Sequence, residues 1–253
     1  MLMYRTNVTS TSDGPTVVLV HGALTDASIW HEVIRSLQLA GHTVLAPALP
    51  MRSLDEDARY VAGVLGRISG PVVLAAHSYA GSVISHPDIA ASGNVVGLVY
   101  IAAFQPDAGE TSGGLNEVYP GSLLTPENLA VAPNPLGGDD LTLRTERFAE
   151  VYATDLDPED AAVLAASQRP INPAALGDKL PGEPAWRTIP SWALVSTRDR
   201  SLPPMILRHM AERAGSTIVE VESAHAVPAS RPQAVVDLIL DAVHSVDSST
   251  KRA

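Results

Sequence analysis

Val72-Val73-Leu74-Ala75-Ala76-His77-Ser78-Tyr79-Ala80-Gly81 is the stretch that decides the fold. Val72–Ala76 is a short, continuously apolar, Val-rich run that reads as a buried strand, and a helix over Ser78–Ser85 follows it. A strand that turns straight into a helix needs a very sharp bend. The bend strains the central residue and brings neighbouring chain close, so small residues are required two before and two after it. Ala76 and Ala80 fill those places around Ser78, and Gly81 adds room. A serine N-cap on an ordinary helix would not explain the small residues on both sides. The pattern therefore reads as a strained turn presenting a nucleophilic hydroxyl.

Outward from this turn, apolar runs alternate with amphipathic ones. Val17–His21, Thr43–Ala46, Val72–Ala76, Val95–Ala102, Trp192–Ser196 and Thr217–Val221 read as strands. Helices are expected at Trp30–Ala40, at Leu54–Ile68, which opens with acidic residues suited to its N-terminal dipole, at Pro204–Ala214 and at Pro232–Val246. Apolar strands alternating with helices predict an α/β fold with a parallel sheet covered on both faces. The rhythm fails between Gln105 and Arg187, which is rich in Pro, Gly, Asn and Asp, with helices expected only near Thr145–Ala153 and over Pro158–Ser167 behind an Asp157 N-cap. The expected organisation is one core, 1–104 with 188–247, a cap insertion at 105–187 and a frayed tail at 248–253.

A nucleophilic serine needs a base, an acid and an oxyanion site. The base is expected on a loop after the last strand, where His225 lies in Glu222-Ser223-Ala224-His225. His209 and His244 fall within helices, and His31, His42 and His86 have no suitable strand-end position. His77 is expected to point away from Ser78 and to be structural. The acid belongs between serine and histidine in chain order. Asp199, flanked by Arg198 and Arg200 as solvent-facing partners, is preferred over Asp107, and both follow strands. The oxyanion donors are expected to be the backbone N–H groups of Tyr79 and of Ala23, in the loop His21-Gly22-Ala23 after the first strand. Gly22 lets that loop fold tightly, and His21 is expected to organise it.

Composition narrows the alternatives. The 253 residues are 45% apolar and 4% aromatic, with a formal charge of −11 and only two lysines, Lys179 and Lys251. Nucleic acid and anionic membranes call for clustered cations, and none appear. With no cysteine, disulfide, thiolate and zinc–cysteine chemistry are excluded. No apolar run reaches the roughly 18 residues of a membrane span, and Met1–Ser10 lacks a signal-peptide core, so a cytoplasmic location is expected. The sequon Asn7-Val8-Thr9 is read as chance.

Val20–Ala23, Trp30, the Ser78 turn, Tyr100–Phe104, Pro106–Glu110 and Ser223–His225 together resemble the α/β-hydrolase superfamily. Within it, the chain resembles the branch of small esterases that includes plant methyl-ester esterases and hydroxynitrile lyases. The resemblance implies an eight-stranded, mostly parallel sheet, a Ser-His-Asp triad, no cofactor and a small-molecule ester or lactone as substrate. It leaves a homodimer open. Two features depart from the family: Ala76 replaces a usual glycine, and Ser85-His86-Pro87 cuts short the helix after the turn, with an expected effect on the pocket wall. Some relatives keep the triad and serve as small-molecule receptors with little turnover, and lyase relatives carry threonine and lysine where this chain has Gly22 and Ala226. Lys179 is expected in a surface loop.

Overall fold

A computed structural model describes residues 14–250, with side chains as far as Asp247. Strands β1 (Thr16–Val20), β2 (Val44–Leu45), β3 (Val72–His77) and β4 (Val95–Ile101) precede the irregular segment. β5 (Leu129–Pro133) and β6 (Asp139–Leu143) form an antiparallel hairpin inside it, and β7 (Ser191–Ser196) and β8 (Thr217–Val221) follow. The main sheet runs β2-β1-β3-β4-β7-β8 with every neighbouring pair parallel. Among the described residues it holds six strands rather than the expected eight. Every residue of β1 and β3 is buried, as a central strand with both faces covered requires. The expected strand at Thr43–Ala46 shrinks to the half-buried edge strand β2, and the edge strand β8 is likewise partly exposed.

The covering helices are α1 (His31–Leu39), α2 (Leu54–Leu65), α3 (Ala80–Ser85) and α4 (Pro87–Ala91). The segment 105–187 adds the short α5 (Ser112–Asn116), α6 (Phe148–Tyr152), α7 (Pro158–Ala166) and α8 (Pro173–Gly177). After it come α9 (Pro204–Ala214), α10 (Val227–Ser230) and α11 (Pro232–Thr250), which packs on β4 and α1. α2 begins as expected, with Ser53 Oγ accepting from the Glu56 N–H and three carboxylates in the first turn, but ends before Gly66. α3 starts at Ala80, leaving Ser78 and Tyr79 to the turn. α11 continues to Thr250, into the expected tail. Lys251–Ala253, Met1–Ser10 and the sequon lie outside the described residues. No helix among the described residues is long and apolar enough to cross a membrane.

The parallel register brings the strand ends together. Val20 aligns with Ala76, Ile101 with Leu194, and Ser196 with Val221. The loops leaving β1, β3, β7 and β8 therefore emerge on one edge of the sheet, where open α/β sheets bind ligands.

Candidate active site

The turn after β3 is as tight as its small residues require. Ser78 has φ +56, in the left-handed region a serine rarely enters. Its carbonyl accepts from the N–H groups of Gly81 (3.0 Å) and Phe104 (3.1 Å), which pins α3 against the segment after β4. A Cβ on Gly81 would lie 1.9 Å from the Phe104 carbonyl oxygen, so only glycine fits.

Ser78, His225 and Asp199 form one hydrogen-bonded row. The Ser78 hydroxyl donates to His225 Nε2 at 2.9 Å, and His225 Nδ1–H donates to Asp199 Oδ2 at 2.6 Å. Asp199, an acceptor only, fixes the proton on Nδ1 and leaves the Nε2 lone pair for the serine. The other carboxylate oxygen, Oδ1, accepts from the N–H groups of Ser201 (2.7 Å) and Leu202 (2.8 Å). All three side chains are almost fully buried. Asp107 is not part of the row: its carboxylate pairs with Arg187 at 2.6 Å. Arg198 and Arg200 are exposed and pair with Glu222 and Glu150.

The other two histidines nearby serve the backbone. His77 Nε2–H donates to the His225 carbonyl at 2.9 Å, with the two rings 4.7 Å apart. Burial, with His225 beside it, holds His77 well below the usual histidine range, so it stays neutral. His21 Nε2 accepts from the Leu49 N–H, and its Nδ1–H donates to the Gly22 carbonyl. Burial lowers its pKa too. This loop passes so close to the nucleophile that a Cβ on Gly22 would sit 2.6 Å from Ser78 Cβ. Ala23 and Tyr79 flank Ser78 in the wall of one cavity. Among the described residues, neither of their backbone N–H groups donates to a protein acceptor.

Residues 17–238 match the model of the alpha/beta hydrolase family. The chain belongs to that family. It is similar to proteins described as hydrolases and esterases. A pyrethroid hydrolase from Sphingobium wenxiniae is 26% identical over 248 residues, spanning 89% of this chain and 86% of the relative. A pyrethroid hydrolase from Sphingobium faniae superposes with a TM-score of 0.73 at 24% identity, covering 94% of this chain and 99% of that one. An Arabidopsis methylesterase gives 0.76 at 18% identity, covering 91% and 99%.

The cavity of this alpha/beta hydrolase measures about 160 Å³ and opens onto Ser78 and His225. Most of its wall comes from the segment 105–187, chiefly leucines and isoleucine, with Ser112, Asn116 and Glu117 as polar exceptions. The helix break at Ser85-His86-Pro87 is present, with α3 ending at Ser85 and His86 capping α4, but residues 82–91 do not line this cavity. Lys179 is exposed and is not among the lining residues.

Two contributors escape a reading of the sequence. Asp57, read as one of three carboxylates favouring the α2 dipole, is fully buried. Its Oδ2 accepts from the Tyr79 hydroxyl (2.9 Å) and its Oδ1 from the Met51 N–H (2.8 Å). Burial pushes this carboxyl up to about 6 and, with Asp57 beside it, pushes the Tyr79 phenol well above its usual range. Tyr152, within an expected helix, reaches the site edge-on to the His225 ring, with centroids 4.5 Å apart. Only the apolar spacing of α2, which puts Asp57 on the face of Leu54, Ala58 and Val61, hinted at the first. Nothing local marks the second.

Proposed function

We propose that this hydrolase cleaves a small, largely apolar carboxylic ester or lactone through an acyl-enzyme on Ser78, without a cofactor. The observation that carries the reading is the buried row from Ser78 through His225 to Asp199, opening from a strained turn into a largely apolar cavity. In the proposed reaction Ser78 Oγ attacks the carbonyl carbon while His225 Nε2 takes its proton. The charge that builds on the carbonyl oxygen is held by the N–H groups of Ala23 and Tyr79. As the tetrahedral intermediate collapses, His225 gives that proton to the departing alcohol oxygen. Water then attacks the acyl carbon, losing a proton to His225, and the second collapse returns a proton to Ser78 and frees the acid. Asp199 keeps the imidazole in the required tautomer and stabilises its charged form throughout. The pyrethroid hydrolase and esterase relatives support an ester substrate.

The test pairs turnover with covalent trapping. An aryl-ester series of increasing acyl length should be hydrolysed, and an organophosphonate should add once per chain, with both lost in Ser78→Ala. Labelling without turnover of any ester would favour a receptor-like binding protein. Turnover undiminished in Ser78→Ala would remove Ser78 from the role.

A further inference from the structure

α6 is a five-residue helix in the segment 105–187, and its C-terminal carbonyls have no acceptor role within the helix. The loops of the candidate site take them up. The Tyr152 carbonyl accepts from the Ala226 N–H (2.9 Å), immediately after His225. The Val151 carbonyl accepts from Ser201 Oγ (3.0 Å), and the Ser201 N–H in turn holds Asp199 Oδ1. The third loop is reached by a side chain: the Tyr152 hydroxyl donates to the Ala23 carbonyl at 3.2 Å. Between these polar ends the Tyr152 ring stacks on Phe148 (5.0 Å) and stands at right angles to His225.

We propose that Tyr152 is a positioning residue, through which the segment 105–187 sets the oxyanion loop against the base loop. The proposal rests on the hydrolytic reading of Ser78. A buried tyrosine that merely filled space would need only its ring. This one has a hydroxyl, a ring and a carbonyl engaged with two different loops, 129 and 74 residues away in sequence. Ala23 is the point of leverage. Its carbonyl belongs to the peptide adjoining the proposed oxyanion donor, so a hydroxyl that fixes the carbonyl also limits where the N–H points. An oxyanion donor acts through placement, and displacement by about 1 Å is enough to lose much of its effect.

Tyr152→Phe removes one oxygen and keeps the ring and the backbone bond. With an aryl acetate it should lower kcat about ten-fold, the effect of one neutral hydrogen bond, and leave KM within about two-fold. Burial raises the Tyr152 phenol, which remains a donor throughout the working range, so the loss should be the same at each pH from 6 to 9. The rate of phosphonate addition to Ser78 should fall in parallel. Tyr152→Leu, which also removes the ring beside His225, should lose at least a further ten-fold. Unchanged kcat in Tyr152→Phe, or a loss confined to KM, would reduce Tyr152 to a piece of cavity wall and overturn the proposal. Its failure is separable from failure of the parent reading: an inactive Ser78→Ala beside a wild-type Tyr152→Phe sinks only the positioning role, and an active Ser78→Ala sinks both.

Discussion

Gly22→Ala is the smallest change that tests the oxyanion loop. The new Cβ would stand 2.6 Å from Ser78 Cβ, 2.8 Å from the His77 carbonyl oxygen and 3.2 Å from His77 Nδ1. Carbon atoms pack best at about 3.5–4.0 Å, so something must move by about 1 Å. The nucleophile side is held: Ser78 is on a left-handed turn pinned by Gly81 and Phe104, and His77 is tied to the His225 carbonyl. The loop therefore moves, and the Ala23 N–H moves with it. Losing one oxyanion donor costs about 10²–10³ in kcat, and overpacking costs about 1–3 kcal/mol of stability. We expect kcat for an aryl acetate to fall about 100-fold, with Tm lower by about 5 °C. Gly63→Ala is the control, since a Cβ there meets nothing within 4 Å and alanine favours the helix. Turnover and thermal unfolding of both variants give the answer. A Gly22→Ala protein with kcat within three-fold of wild type would show that Ala23 is not the donor.

Two further outcomes follow from the geometry. Asp199→Asn should keep the fold and lose about 10⁴ in kcat, because an amide favours the wrong imidazole tautomer, whereas Asp107→Asn breaks only a part-exposed pair with Arg187 and should cost under about 1 kcal/mol of stability; the opposite ranking in steady-state kinetics would put the acid at the earlier strand end. For Asp57, raised from 3.8 to about 6 by burial, the folded chain keeps a proton that the unfolded chain releases between those values, so this group's contribution to stability is full below about pH 4 and is lost as pH rises through 6. Urea unfolding of Asp57→Asn should therefore improve relative to wild type by up to about 3 kcal/mol between pH 4 and 7.5, and a pH-independent difference would contradict a buried carboxyl there.

What could be read from the chain was what local sequence determines. The runs that became β1, β3, β4 and β7 carry their burial in their own composition, and the Ser78 turn carries its strain in the small residues around it. Hydrogen-bond geometry separates Asp199 from Asp107, since both follow strands and only the folded chain shows which one meets His225. The β5–β6 hairpin went unseen because Pro133 and the pair Asp139-Asp140 interrupt the alternation that marks a strand. Asp57 was misread for a different reason. Its place in the first turn of α2 satisfies the dipole, and nothing nearby announces that Tyr79, 22 residues on, folds back over it. Such contacts depend on tertiary placement.

The same close packing bears on lyase chemistry. The lyase branch that the sequence resembles relies on a threonine hydroxyl where this chain has Gly22 and on a lysine where it has Ala226. At Gly22 even a methyl group collides with Ser78 and His77, so a threonine would need a differently folded loop. Ala226 is fully buried, with its N–H committed to the Tyr152 carbonyl; a lysine there would bring an unpaired charge into the interior. Lys179 cannot substitute from the surface, exposed and apart from the cavity wall. Under the proposed mechanism the leaving group must therefore take its proton from His225 as an alcohol does, because among the described residues no lysine or arginine lines the cavity to meet departing cyanide. The loop that presses the proposed oxyanion donor against Ser78 is also the loop that excludes the lyase hydroxyl, so the backbone conformation that would serve hydrolysis here is one that the lyase threonine could not share.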